Sequence, residues 1–258
     1  MGAGGDDGWS AVAAEWSELW AASAGPAHEA LMAASAVGAG TRVLDVGCGS
    51  GELLREVLRS GAAAAGIDPA PGMVELARRT APAADVRVGT NEGLPWPDGS
   101  FDVVTAVNSL QFADDTLAAL AEFARVAAPG GRIAVANWAE GELNDLDVVE
   151  AAIAEADGAE RQPDGDLRVA GGLEALFAEA GLAVVASGVV EVPWQVPDDD
   201  TLVRGVLLGE DASVRRELEP VVLDAARPFR AGDGYRLLNR YRWAVARTPH
   251  RRQRRPSP

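Results

Sequence analysis

The chain has no lysine, one cysteine and two histidines in its 258 residues. A single cysteine, Cys48, excludes an internal disulfide framework, and His28 and His250 are too far apart in sequence to form a zinc motif. We therefore expect no metal site and a reducing compartment, the cytoplasm. A chain of this length can bury roughly three quarters of its unfolded surface, so it needs neither a disulfide nor a metal to fold.

Long apolar runs are missing as well, and so is the layout of a signal peptide in residues 1–7. No stretch approaches the ~18 apolar residues that a membrane span requires. The formal net charge is -16, although five arginines crowd into the last twelve positions. A body this acidic repels nucleic acid and anionic membranes. We expect a small-molecule partner, no nucleic acid, no membrane, a monomer or homodimer, and a disordered basic tail at residues 248–258.

What the chain does have is a glycine-rich turn between Asp45 and Gly51. The apolar run before the turn predicts a buried parallel strand, and the pattern after it predicts an amphipathic helix. Such a turn lets a ligand approach closely, and we expect its backbone N–H groups to face that ligand. A dinucleotide fingerprint would place a third glycine where Glu52 stands, which disfavours a nicotinamide-dependent dehydrogenase.

The spacing D-x-G-x-G-x-G over Asp45 to Gly51 resembles the first motif of class I S-adenosylmethionine-dependent methyltransferases. Two later segments are similar to the ubiquinone and menaquinone biosynthesis group, known as methyltransferase domain 11. They are Leu94 to Asp102 and the turn Pro129-Gly130-Gly131. The resemblance covers Thr41 to Trp138 well. It implies an α/β fold with a Rossmann-like, doubly wound sheet of seven strands, the last one antiparallel between the fifth and the sixth.

A second acidic residue, Asp68, lies 17 residues after Gly51, at the end of the second predicted strand. A carboxylate at this position can accept both ribose hydroxyls of a nucleoside. The alternative role is to cap the helix that begins near Pro71. We favour the ribose contact.

The resemblance implies S-adenosylmethionine as the cofactor. The family usually places an aspartate against the adenine amino group, whereas this chain has Thr90 there, followed by Asn91 and Glu92. Which of these side chains reads the adenine stays open. Cys48 is interpreted as a small filler in the turn rather than a nucleophile. The expected cofactor-binding residues are Asp45, Gly47, Cys48, Gly49, Gly51, Asp68, Pro69, Met73, Thr90, Asn91, Glu92, Asn108 and Ser109.

Tryptophans at helical spacing mark the N-terminal segment. Trp9, Trp16 and Trp20 indicate either packing on the main body or a cover over the cofactor, with Trp20 near the substrate. We divide the chain into an N-terminal helical cover (residues 1–37), a cofactor-binding core (38–138), a lid insertion (139–170), a core completion (171–197), a second lid insertion (198–232) and a last strand (233–247). The sixth strand is predicted from Leu182 to Val192.

Methyl transfer from a sulfonium depends mainly on positioning, so a general base is optional and the catalytic residues stay unknown. His28 is a candidate by chemistry and Tyr235 by position. The expected function is methylation of a small molecule, such as a natural product or a quinone-like aromatic. A non-methylating reaction such as cyclisation, or a sensor that only binds the cofactor, are the alternatives. Position alone suggests Trp138, Glu140 and Tyr235 for the substrate. The N-terminal cover adds Trp20, and the resemblance, whose family places the loop after the fourth strand against the acceptor, adds Gln111.

Overall fold

The structure is a computed structural model that describes residues 6–159 and 163–249. Short apolar runs alternate with amphipathic stretches in the first half of the chain, which produces alternating strands and helices. The strands are β1 Arg42–Val46, β2 Ala63–Asp68, β3 Asp85–Val88, β4 Phe101–Val107, β5 Ala127–Trp138, β6 Ala183–Val196, β7 Arg230–Ala231 and β8 Gly234–Arg247. The helices are α1 Asp6–Leu19, α2 Gly25–Ala34, α3 Glu52–Arg59, α4 Pro71–Thr80, α5 Thr116–Val126, α6 Asp145–Ala156, α7 Gly172–Glu179, α8 Asp199–Val206 and α9 Ala212–Ala226.

The strands form one sheet in the order β3-β2-β1-β4-β5-β8-β6. β1 to β5 are parallel, and β8 runs antiparallel between β5 and β6, as predicted. The predicted count of seven strands differs from the structure by one, because β7 forms a two-residue hairpin with the start of β8. Gly232, at a φ of 64°, lies in the turn that joins them. Glycine adopts this positive φ without a Cβ clash.

Helices cover both faces of the sheet, which makes the fold doubly wound. On one face, Phe123 of α5 and Phe177 of α7 are buried against the sheet. On the other face, Leu54 of α3, Val74 of α4 and Leu31 of α2 are buried. Each such side chain contributes about 1.5–3 kcal/mol when fully buried. The packed sheet therefore holds the carboxyl ends of β1 to β4 in fixed positions relative to one another.

β6 and β8 continue beyond the end of β5 as a two-stranded ribbon. Trp138, the last residue of β5, pairs with Tyr241, whereas the pairing of β8 with β6 continues to Tyr235 opposite Val196. Six further residues of β8 extend the ribbon by about 20 Å. The predicted end of the sixth strand at Val192 is therefore too early. β6 is an edge strand, where the missing N–H of Pro193 removes no bond from the sheet.

Four helices, α1, α6, α8 and α9, pack around this ribbon, and together with it they form what we call the cap. Asp198 caps α8, because its carboxylate accepts the N–H of Thr201 at 2.8 Å at the start of that helix. The apolar core of the cap includes Leu19, Trp20, Leu146, Val149, Trp194, Leu202, Leu218, Val222 and Leu237.

Parts of three predicted segments lie outside the described residues, and residues 160–162 belong to one of them, the lid insertion. Residues 1–5 belong to the predicted N-terminal cover, and residues 250–258 contain most of the predicted basic tail. Within residues 6–159 and 163–249, no helix combines the length and the apolar composition that a membrane span needs.

Candidate cofactor site

The turn between β1 and α3 requires glycine at two positions. Gly47 has a φ of 71°, and a Cβ on it would lie 2.2 Å from the Cβ of Ser109. Gly51 has a φ of 90°, and a Cβ there would lie 2.9 Å from the Cα of Ala77 in α4. The first glycine lets the end of β4 approach the turn, and the second lets α4 pack against the start of α3.

The backbone N–H groups of this turn are directed at β2. Gly47 and Cys48 both donate to the carbonyl of Ile67, at 2.8 and 3.0 Å, and Gly49 donates to Asp68 Oδ2 at 2.9 Å. The expectation that these N–H groups face a ligand is therefore wrong for these three residues. The turn offers its ligand side a glycine surface rather than a row of free donors.

Asp68 lies at the carboxyl end of β2 and fixes the turn in place. Its second oxygen, Oδ1, accepts the N–H of Ala70, the residue before α4, at 2.9 Å. The contact to Gly49 uses the other oxygen, so the carboxylate connects the turn after β1 to the turn after β2. Each carboxylate oxygen has two acceptor sites, so these contacts are compatible with ribose hydroxyls as further donors.

The turn after β3 presents three polar residues in three different settings. Thr90 is exposed, and Glu92 accepts the N–H of Asp114 at 2.8 Å. Asn91 is buried, and its amide donates to the carbonyl of Ser109 at 3.3 Å. Asn91 is therefore the polar side chain of this turn that lies closest to the ends of β1 and β4.

The turn after β4 is held by several hydrogen bonds. Ser109 donates its hydroxyl to the carbonyl of Val46 at 2.6 Å. Asn108 has a φ of 49°, an uncommon conformation that asparagine tolerates, and its Oδ1 accepts the N–H of Trp138 at 3.1 Å. Buried Tyr241 also bonds the Asn108 side chain. The sequence pattern did not single out Tyr241, because only the antiparallel insertion of β8 brings it beside β4 and β5.

Three carboxylates set the electrostatics of the turn. Asp45 is 4% exposed, and burial raises its pKa to about 7, although Thr105 donates to it at 2.7 Å. The negative charges of Asp68 and Glu52 raise that pKa further, whereas His28 opposes the shift. Burial first, and then Asp45 and Asp68, also raise the pKa of the Cys48 thiol. Cys48 is thus a neutral, buried side chain, in agreement with the filler interpretation.

The helix α1 lies across this group of turns. Trp16 ring atoms lie 3.7 Å from the position that a Cβ on Gly49 would take. At the same helix, Ser10 accepts the N–H of Gly72 at 3.2 Å, and Met73 packs against Ala13. Trp9 contacts exposed Phe112 edge-on, with ring centroids 6.0 Å apart. The N-terminal helix thus connects the turn after β4 to the start of α4.

Three of the predicted substrate residues come together near Asn108. Trp20 and Trp138 meet edge-on with centroids 6.4 Å apart, and Trp20 is stacked on Trp194 at 3.9 Å. The Trp20 indole N–H donates to the carbonyl of Gly205 at 3.0 Å, so this residue also packs the cap. Gln111 is exposed and donates to the carbonyl of Asn108 at 3.0 Å.

The other two predicted substrate residues are engaged elsewhere. Glu140 bonds Arg242, with Nε 2.6 Å from Oε2, and this ion pair lowers the Glu140 pKa. Tyr235 lies at the far end of the ribbon, and its hydroxyl donates to Asp199 at 2.7 Å. Burial and that bond raise the Tyr235 pKa to about 12, so it stays protonated at neutral pH.

His28, the second candidate base, lies in α2 and is 5% exposed. Its Nδ1 is 3.3 Å from Glu56 Oε1 in α3. The structure therefore places His28 on the α2 and α3 side of the sheet, close enough to Asp45 to influence its pKa. It does not bring His28 to the tryptophans near Asn108.

Known proteins match the part of the chain that contains these turns. Residues 44–135 match the family described as a methyltransferase domain. The chain is 39% identical over 104 residues to malonyl-(acyl-carrier protein) O-methyltransferase of Yersinia pestis, covering 40% of this chain and 39% of that protein. It is 41% identical over 104 residues to demethylmenaquinone methyltransferase of Tropheryma whipplei, covering 40% and 44%. The chain thus spans about two fifths of the length of these curated relatives.

A solved structure extends the likeness to most of the fold. A crystal structure of a putative methyltransferase from Bacillus halodurans is similar with a TM-score of 0.61 and 16% identity, covering 86% of this chain and 98% of that chain. At this identity the likeness concerns the fold.

Proposed function

We propose that this chain transfers a methyl group from S-adenosylmethionine to a small-molecule acceptor, and the match of residues 44–135 to a methyltransferase domain supports this proposal. The observation that carries the proposal is the acidic, donor-poor glycine turn. The N–H groups of residues 47–49 are already bonded to β2, and Asp45, Asp68 and Glu52 surround the turn. A pyrophosphate would meet negative charge here, whereas a cationic sulfonium is attracted.

The residues present fit this cofactor. Asp68 would accept the ribose hydroxyls, the glycine surface at residues 47–49 would lie against the amino-acid part, and buried Asn91 would approach the adenine. Pro69 and Met73 follow Asp68 on the same side, and Met73 packs against α1. When bound, the cofactor supplies a methyl group on a positively charged sulfur.

The side chains of this chain contribute by orientation and exclusion of water. Asn108 is held in a left-handed conformation by Trp138 and Tyr241, so its position beside the turn is fixed. Trp9 and Trp16 of α1 cover the turns and keep water from the reacting atoms. Positioning of this kind corresponds to effective molarities of about 10⁵ to 10⁸ M in well-aligned systems. We propose no general base, because Tyr235 and His28 are bonded away from this position.

We further propose that the acceptor is a planar, largely apolar molecule such as a quinone-like aromatic or another natural product. Half-buried Trp138 provides aromatic surface where the cap meets the carboxyl end of β5, and buried Trp20 packs edge-on against it from the cap. Aromatic faces and edges bind flat apolar ligands well. One relative bears the name demethylmenaquinone methyltransferase, which agrees with this class of acceptor.

A product assay tests the proposal. The protein is incubated with S-adenosylmethionine labelled in the methyl carbon and with a panel of phenols, hydroquinones and carboxylic acids, and mass spectrometry follows both products. We expect S-adenosylhomocysteine and a labelled acceptor in equal amounts for at least one hydroquinone or phenol. Conversion of an acceptor without S-adenosylhomocysteine would instead indicate a non-methylating reaction such as cyclisation.

A matched pair of variants ties the assay to the proposed site. Asp68→Asn keeps the shape of the side chain and removes its charge, so turnover should fall at least tenfold. Glu75→Gln removes an exposed carboxylate of α4 that pairs with Arg79 of the same helix, and it should keep parental turnover. Equal turnover of both variants and the parent would place the cofactor elsewhere.

A further inference from the structure

A cavity of about 320 Å³ opens at the amino edge of the sheet, on the opposite side from the cofactor turns. It lies where β1, β4 and β5 begin and β8 ends. The size is at the lower end of the range for small-molecule pockets. Its lining residues are Ser35, Ala36, Thr41, Asp102, Val103, Ala128, Pro129, Gly130, Gly131, Arg132 and Arg247.

Two arginines of this lining lie side by side. Arg132 of β5 and Arg247 of β8 are directly opposite each other in the antiparallel register. Side chains in such a pair point to the same face, and like charges there are destabilising.

The neighbouring carboxylate does not neutralise these arginines. Asp102 binds Arg42 through both of its oxygens, at 2.7 and 3.1 Å. In the part of the chain that the structure describes, neither Arg132 nor Arg247 forms an ion pair. The sequence that follows Arg247 contains no aspartate or glutamate.

Two polar atoms of the same lining also have no partner among the described residues. Ser35 is 1% exposed, and its hydroxyl has no hydrogen bond. Arg132 Nε is buried without a bond, although its Nη1 donates to the Ser35 carbonyl at 2.5 Å. A buried donor without an acceptor costs about 1–3 kcal/mol, so a small movement of these two side chains toward an acceptor in the cavity would remove that cost.

We propose that this cavity is a binding site for a phosphate group, carried by inorganic phosphate or by a small phosphomonoester. Two guanidinium groups match the charge of a phosphate dianion and can donate paired hydrogen bonds to its oxygens. Rotation of the Ser35 side chain toward the cavity would add its hydroxyl as a further donor from the end of α2. Binding here would relieve the repulsion between the two arginines and is separate from the cofactor turns.

Phosphorus NMR and calorimetry test this site on the full chain, with inorganic phosphate as the probe at constant ionic strength. We expect saturable binding to one site, and at least tenfold weaker affinity for Arg132→Gln and for Arg247→Gln. Arg79→Gln, an exposed arginine of α4, is the matched control and should bind like the parent. Unchanged affinity in the double variant Arg132→Gln/Arg247→Gln would overturn the proposal, and so would binding of acetate or citrate in preference to phosphate.

The thermal stability of the same variants provides an independent test, because phosphate should change the order of their melting temperatures. In phosphate-free buffer, Arg247→Gln should melt at the same temperature as the parent or higher, because it removes a like-charge pair. In millimolar phosphate that order should reverse, since only the parent gains stability from the ligand. Ser35→Ala should fold normally and reduce phosphate affinity severalfold. An identical order of melting temperatures in both buffers would contradict the proposed site.

Addition of glycerol 3-phosphate in place of phosphate then distinguishes a phosphomonoester, which should bind more tightly, from the free ion.

Discussion

The cofactor turns and the cap achieve rigidity by opposite means. Around Gly47 and Gly51 the backbone of neighbouring elements approaches so closely that a single Cβ does not fit. In the cap, large side chains such as Trp20 and Trp194 fill the space and bond to backbone carbonyls across the chain. The turns lie within residues 44–135, which known relatives share, and most of the cap lies outside that match. We infer that the first region selects the cofactor and the second selects the acceptor.

The largest effect should come from adding one methyl group to the turn. Gly47→Ala puts a Cβ into the side chain of Ser109 and forces a positive φ on alanine. We expect a loss of stability of about 3 kcal/mol or more and no measurable S-adenosylmethionine binding. Urea unfolding and calorimetry measure the two effects. Gly38→Ala, where nothing lies within 4 Å, serves as control, and equal behaviour of both variants would refute the tight turn.

A buried acid should make the stability of the turn region depend on pH. The folded pKa of Asp45 is raised to about 7, above its unfolded value, so its contribution is complete below about pH 4 and is lost as the pH rises through 7. Asp45→Asn should therefore gain roughly 2–3 kcal/mol relative to the parent between pH 5 and pH 8. Urea midpoints of both proteins over this range measure the difference. A constant difference would show that Asp45 is ionised throughout.

The cap contains a carboxylate whose pKa is lowered, in contrast to the raised pKa of Asp45. Glu15 of α1 binds Arg215 and Arg204, and the hydrogen bond from Arg215 lowers its pKa first of all. A lowered pKa gives stability that is present above about pH 5 and is lost as the pH falls. Glu15→Gln should therefore lower the melting temperature by a few degrees at pH 7 and by less at pH 4. The reverse pH trend would mean that this carboxylate does not attach α1 to α8 and α9.

Gly205 is the glycine of the cap that corresponds to Gly47 of the turn, and we expect its substitution to cause a smaller loss of stability. A Cβ on Gly205 would lie 2.4 Å from the Trp194 ring, so Gly205→Ala must displace that ring and with it the stacked Trp20. The clash costs about 1–3 kcal/mol, and the better helix propensity of alanine offsets about 1 kcal/mol. Cofactor affinity should stay within twofold of the parent while the KM for the acceptor rises. A loss of cofactor affinity instead would show that the two regions do not act separately.

The order of strands and helices and the place of the glycine turn could be predicted from the sequence, because both depend on local patterns that recur in a fixed order. The position of Asp68 at the end of β2 could be predicted for the same reason. The direction of the turn's N–H groups could not, since their acceptors, Ile67 and Asp68, are on another strand. The register between strands that are distant in sequence could not be predicted either. It puts Tyr235 at the far end of the ribbon and sets Arg132 opposite Arg247.

Calorimetric titration of the full chain with S-adenosylmethionine and, separately, with NAD tests the central claim most directly. The acidic turn, in which the N–H groups of residues 47–49 are already bonded to β2, predicts one saturable site for S-adenosylmethionine and no heat of binding for NAD at the same concentrations. Asp68→Asn should weaken the S-adenosylmethionine site about tenfold, equivalent to ~1.4 kcal/mol. Binding of NAD, or no binding of S-adenosylmethionine, would contradict the account.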